Sequence, residues 1–189
     1  MSKRTITAWA LVALALCGGW AASEAAQGEA QGQAQKQKQK PAKDDADTQT
    51  AVADYNAGNM GVALKEFRAA AERGSRLAQF NYAMMLLNGE GTAANVDEGR
   101  KWLRKAADAN MSHAQYVYGK MYDDGDFVTR DPAEAHQWFT KAAQQGHVQA
   151  ELALANQFLD GRGTPRDNKQ AFYWYKKAAE GGDMTAQYV

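Results

Sequence analysis

The chain is poor in the residues that staple or break a fold. Among its 189 residues are one cysteine, three prolines and three histidines, and the 22 basic residues balance the 22 acidic ones to a formal net charge of zero. One cysteine cannot form an internal disulfide, so stability must come from packing. The missing basic excess argues against a nucleic-acid partner, since such surfaces carry a clear surplus or a clustered stripe of Lys and Arg. No apolar run reaches the roughly 20 residues a membrane span needs. Catalytic groups are scarce as well. Past the first quarter of the chain the only serines are Ser75 and Ser112, and neither lies in a nucleophile-elbow motif. Each follows a helix end, where Ser caps the next helix. His113, His136 and His147 have no metal-ligand spacing.

The first quarter is organised differently from the rest. Lys3 and Arg4 precede a short apolar stretch, Ile6 to Leu16, and small residues run from Ala21 to Ala26. That order is a secretory signal peptide over residues 1–26, with cleavage near Ala25. Leu14-Ala15-Leu16-Cys17 resembles a lipobox, but Leu16 stands where that motif takes a small residue, so a lipidated Cys17 is the lesser reading. Residues 27–43 are almost wholly Gln, Ala, Gly and Lys. Without aromatic or branched aliphatic side chains they read as a linker that cannot offset its ordering entropy. The expected location is periplasmic or secreted, with no transmembrane segment in the mature chain.

What the rest contains is a repeat. Ala70-Ala71, Ala106-Ala107, Ala142-Ala143 and Ala178-Ala179 are separated by 36 residues, and the same step joins Trp102, Trp138 and Trp174. Gly99, Ala135 and Ala171 precede the tryptophans by three, and Ala106, Ala142 and Ala178 follow them by four, a buried stripe on a helix. Ala78, Tyr82 and Leu86 recur as Ala114, Tyr118 and Tyr122 and as Ala150, Leu154 and Phe158, which makes a second amphipathic helix. Asn95 with Glu98, Asp131 with Glu134 and Asp167 with Gln170 have capping-box spacing. Gly74, Asn110, Gly146 and Gly182 are suited to the left-handed residue that closes a helix. Gly89-Glu90-Gly91 and Gly161-Arg162-Gly163 form the turns inside two units, and Gly125-Asp126-Phe127 departs from them in the unit between.

The Gly-x-Gly turn, the cap residue, the tryptophan and the final Ala-Ala-x-x-Gly together resemble the Sel1-like repeat, a relative of the tetratricopeptide repeat. The resemblance runs from Ser75 to Val189. It implies an all-α fold, a right-handed α-solenoid of antiparallel helix pairs. The units expected are 75–110, 111–146 and 147–182, with 183–189 starting a further one. Residues 44–74 form a capping unit whose inner turn, near Gly58-Asn59, is four residues shorter.

The resemblance also implies a protein or peptide partner, no cofactor and no catalysis, in a groove lined by the first helix of each unit. Off the core stripe on those helices lie Leu77, Phe80, Met84 and Leu87, then His113, Tyr116, Lys120 and Asp123, then Gln149, Leu152, Asn156 and Leu159. Phe80, Met84, Tyr116, Lys120 and Asn156 are the candidate partner-binding residues, the first three forming an apolar-aromatic group that could hold a peptide or helix. Asp123-Asp124-Gly125-Asp126 lacks the alternating ligands of a calcium loop and reads as a solvated turn. The tryptophans read as core rather than as a sugar-binding ladder. Scaffolds and regulators of envelope processes are the implied function. The β-lactam-binding or hydrolysing members of the family rely on a disulfide in each repeat, which this chain cannot form, and a secreted effector is the third possibility.

Overall fold

The computed structural model describes residues 43–182, with side chains from residue 48 onward. The signal-peptide, Cys17 and linker readings, and the start of a further repeat at 183–189, lie outside the described residues. Every described element is a helix: α1 (Lys43–Asn56), α2 (Met60–Glu72), α3 (Arg76–Asn88), α4 (Val96–Asp108), α5 (Ser112–Asp124), α6 (Pro132–Ala143), α7 (Val148–Asp160) and α8 (Asn168–Glu180). Consecutive helices pack on one another, giving the antiparallel pairs α1/α2, α3/α4, α5/α6 and α7/α8 of an α-solenoid. The first pair turns over residues 57–59, whereas the later ones use 89–95, 125–131 and 161–167, the four-residue difference expected from the sequence.

The helices end where the 36-residue pattern places their caps. Asn95 accepts the Glu98 amide, Asp131 those of Ala133 and Glu134, and Asp167 those of Lys169 and Gln170. The capping box is rearranged, however. The cap residue's own N–H donates to the preceding helix, Asn95 to Leu86 O at 2.8 Å and Asp131 to Tyr122 O at 2.8 Å. Glu98 and Glu134 are thereby free to accept the indole N–H of Trp102 at 2.8 Å and of Trp138 at 2.9 Å. Lys105 and Lys141 lie 3.9 and 3.8 Å over the same two rings. The cap of α5 also differs from expectation: Met111 holds that position, and Ser112 is the first helical residue, while Ser75 does cap α3.

Trp102 and Trp138 are buried, as core residues should be, but Trp174 on α8 is only half-buried. Buried apolar residues form two clusters that meet on α6, where Trp138 joins the cluster reaching back to Ala51 and Phe139 the one reaching forward to Leu154. The inner turns press on the preceding pair. A Cβ at Gly91 would come within 2.5 Å of Met60 O, and one at Gly163 within 2.1 Å of Pro132 O. The residue at this place in the middle repeat is Phe127, exposed and held at φ 63°.

Candidate functional site

The first helices α3, α5 and α7 present the face singled out from the sequence, and its aromatic residues touch across the repeats. Phe80 of α3 meets His113 of α5 edge-on at 5.0 Å, and His113 stacks on His147, the N-cap residue of α7, at 5.5 Å. Tyr116 stacks on His147 at 4.8 Å and lies 5.9 Å from Phe139. Phe80, Met84 and Tyr116 are half-buried because they fill the seams between repeats, whereas Lys120 and Asn156 are exposed. Lys120 pairs with Asp124 one turn away, and Asn156 accepts a hydrogen bond from the Tyr175 hydroxyl of α8. Phe80 and Tyr116 thus belong to one aromatic run, while Lys120 and Asn156 stand apart from it. His113 was placed on this face from the sequence, but His147, which completes the run, was missed because the relation of the two is one of stacking, 34 residues apart, and not of local spacing.

Two residues of this face are core instead. Leu87 is buried against Gly99, where an added Cβ would lie 2.8 Å from Leu87 Cγ. Asp123, read as part of a solvated turn, is only 8% exposed. Arg162, from the inner turn of the next repeat, reaches its Oδ2 at 2.7 Å, and Gln157 donates to its Oδ1 at 3.4 Å. Gln157 is fully buried and also donates to Pro132 O, while its carbonyl oxygen lies 2.9 Å from His136 Nδ1. Burying a charge is costly unless it is paired and hydrogen-bonded, and Asp123 is both. The 36-step register, allowing for the shorter first unit, puts Tyr55, Leu87, Asp123 and Leu159 at one position. Tyr55 donates to Glu90 at 2.8 Å, so the middle residue of a Gly-x-Gly turn twice reaches this position of the preceding repeat. The hydrogen bond to the Glu90 carboxylate raises the Tyr55 pKa.

A second series of polar contacts ties α3 and α5 each to the helix before it. Gln79 donates to Ala71 O at 3.3 Å and Gln115 to Ala107 O at 3.1 Å. The third member of the series is Glu151, 5% exposed, with Oε2 buried and unpartnered. Burial pushes its pKa up; Lys177 acts against this and Glu180 adds to it. A carboxylate has no proton to offer a carbonyl, which the two glutamine amides do.

Among the described residues, no three His, Cys, Asp or Glu side chains converge to hold a metal ion, and no helix is long and apolar enough to cross a membrane. The three later helix pairs match the Sel1 repeat family model over residues 76–111, 112–147 and 148–183. The chain belongs to the Sel1 repeat family. Sel1 repeat proteins are in general protein-interaction scaffolds, and their solenoid is typically non-catalytic. Among solved structures, the chain is similar to a Sel1 repeat protein from Oxalobacter formigenes, at 29% identity and TM-score 0.70, covering 74% of this chain and 57% of that one. It is also similar to a protective antigen with an SLR fold present in uropathogenic Escherichia coli strains, at 33% identity and TM-score 0.71, covering 80% of this chain and 33% of that one. It therefore spans less than two thirds of either protein. The cysteine rich protein B of Helicobacter pylori shares the fold at 23% identity and TM-score 0.55, covering 66% of this chain and 92% of that one. A comparison with curated proteins gave no match.

Proposed function

We propose that this chain is an exported, non-catalytic Sel1 scaffold or regulator that docks a protein or peptide partner on the face of α3, α5 and α7. The observation that carries the reading is the aromatic run Phe80–His113–Tyr116–His147, which crosses three repeats on that one face. A bound segment lying across these helices would meet aromatic edges first and the polar groups of Lys120 and Asn156 beside them. Large, stiff aromatic side chains with a polar tip give contact area at small entropic cost, which suits such a surface. The exported location rests on the residues 1–26 pattern, and the partner's identity is open.

Face-specific crosslinking tests the reading. A photo-reactive side chain placed at Met84, Lys120 or Asn156 of the full chain is expected to capture the same protein from the envelope fraction. The same probe at Lys101 or Gln137, on the second helices, is expected not to capture it. Equal capture from both sets would mean that the docking face is wrongly chosen.

A further inference from the structure

The four helix pairs meet at three seams, α2/α3, α4/α5 and α6/α7, and the 36-residue step brings equivalent residues to each. At the last seam three ties hold the third repeat onto the second. Gly163 lies so close to Pro132 O that a Cβ would collide with it. Arg162 reaches Asp123 at 2.7 Å. Gln157 donates to Pro132 O at 3.3 Å, and its carbonyl oxygen lies 2.9 Å from His136 Nδ1. The first seam keeps two of these ties, Gly91 against Met60 O and Tyr55 bonded to Glu90, with Met85 in the place of Gln157.

The middle seam has none of the three. Its residue at the glycine position is Phe127, and the equivalent of Met60 and Pro132 is Val96, which opens α4. Phe127 keeps the left-handed turn, at φ 63° against 74° and 75° for Gly91 and Gly163, but its Cβ bars an equally close approach. Asp126 takes the place of Glu90 and Arg162 and is exposed. Its counterpart on the preceding repeat is Leu87, which has no polar group to offer it. Met121 replaces Gln157 and lacks the amide. Arg100 stands where His136 does; its Nε is buried without a hydrogen-bond partner, while its Nη1 is 3.8 Å from Asp97 of its own helix. Val96, Met121, Tyr122 and Val128 fill this edge within one apolar cluster, and apolar contact is non-directional, so it fixes no distance. The opposite edge of the same seam is tied. There Gln115 donates to Ala107 O at 3.1 Å, and Arg104 lies 5.9 Å from the Tyr118 ring and 5.6 Å from that of Trp138.

We propose that the solenoid flexes at the α4/α5 seam, opening and closing at the edge of Val96 and Phe127 about a pivot at Ala107 and Gln115, while the α6/α7 seam stays closed. Hinges of this kind are carried by a few residues at the ends of elements, as these are. Met84, Lys120 and Asn156 hold one position on α3, α5 and α7. The spacing of Met84 and Lys120 therefore varies as the seam moves, whereas that of Lys120 and Asn156 is fixed by the ties of the last seam. The face adapts its span at one place, between the first and second Sel1 repeats. The motion needs no partner, so it stands or falls apart from the proposed docking.

The test measures distances across the two seams in the full chain by pulsed electron paramagnetic resonance. Spin-label side chains are introduced genetically, so that Cys17 carries none, at Asp97, Ala133 and Lys169. These are exposed residues in the first turns of α4, α6 and α8, one repeat apart. The 97–133 pair spans the middle seam and the 133–169 pair the last. The 97–133 distance distribution is expected to be at least about twofold broader than the 133–169 distribution. Phe127→Gly gives the middle turn the residue of the other two and is expected to remove about half of the excess width, since the turn can then approach Val96. Equal widths for the two pairs would overturn the proposal. So would a Phe127→Gly protein whose 97–133 distribution is as broad as before. The comparison of the two pairs needs no change at the seam itself, so it decides the matter even if that variant folds poorly.

Discussion

Arg162 Nη1 lies 2.7 Å from Asp123 Oδ2, joining the inner turn of the third repeat to the last turn of the first helix of the second. The carboxylate is nearly buried, and the guanidinium side chain is 33% exposed. Removing Arg162 therefore leaves a buried charge held only by Gln157. Arg162→Ala is expected to cost about 1.5–3 kcal/mol, the range for a hydrogen bond to a charged group. Asp123→Leu copies Leu87 at the equivalent position, and the double variant should cost less than the sum of the two singles. Urea unfolding of all four proteins measures the coupling, and strict additivity would mean that the pair does not act as a unit.

Glu151 stands where Gln79 and Gln115 donate to a helix-end carbonyl. Its raised pKa means that the folded state favours the neutral acid. The stability it contributes is present at low pH and lost as pH rises through the raised value. Glu151→Gln is expected to stabilise the protein by about 1 kcal/mol near neutral pH, one net hydrogen bond. The gain should shrink on acidification toward the ordinary carboxylate range. Thermal unfolding of both proteins across pH checks this, and a gain independent of pH would separate it from ionisation.

Trp138 is 2% exposed, donates to Glu134 and is covered by Lys141. Trp138→Ala is expected to cost about 3–5 kcal/mol, as for other large buried aromatics. Trp174→Ala should cost distinctly less, because that ring is half-buried. Denaturant midpoints rank the two, and equal losses would contradict the burial difference.

Phe127 takes a positive φ at the place where Gly91 and Gly163 stand in the neighbouring repeats. A left-handed conformation costs an L-residue roughly 1–2 kcal/mol, and the ring is exposed enough to lose little by its removal. Phe127→Gly is expected to raise stability by about 1 kcal/mol after glycine's own entropic cost. A lower melting temperature for the variant would mean that the Phe127 ring packs more usefully than its exposure implies.

The helices, their caps and the short first turn were legible because each is written at fixed offsets within a repeat. Asn95, Asp131 and Asp167 announce their helices locally, and Trp102 and Trp138 mark the buried stripe. Contacts between repeats were not legible in that way. Asp123 with Arg162, and His113 with His147, are 39 and 34 residues apart, and only the stacking of one pair on the next brings them together. Asp123 looked like turn chemistry because three of the four residues at 123–126 are acidic, and its burial depends on a partner from another repeat. The Glu98–Trp102 bond was hidden for a different reason. Glu98 satisfied a capping rule, and the competing claim of Leu86 O on the Asn95 amide is tertiary.

The docking face is the central claim, and an affinity measurement on its exposed residues tests it most directly. Lys120→Glu and Asn156→Lys change the charge of that face without touching the core, so circular dichroism should be unchanged. Isothermal titration of the crosslinked partner with wild type and with the double variant measures the consequence. Binding is expected to weaken at least about tenfold, or about 1.4 kcal/mol. An unchanged affinity in a folded double variant would contradict docking on α3, α5 and α7.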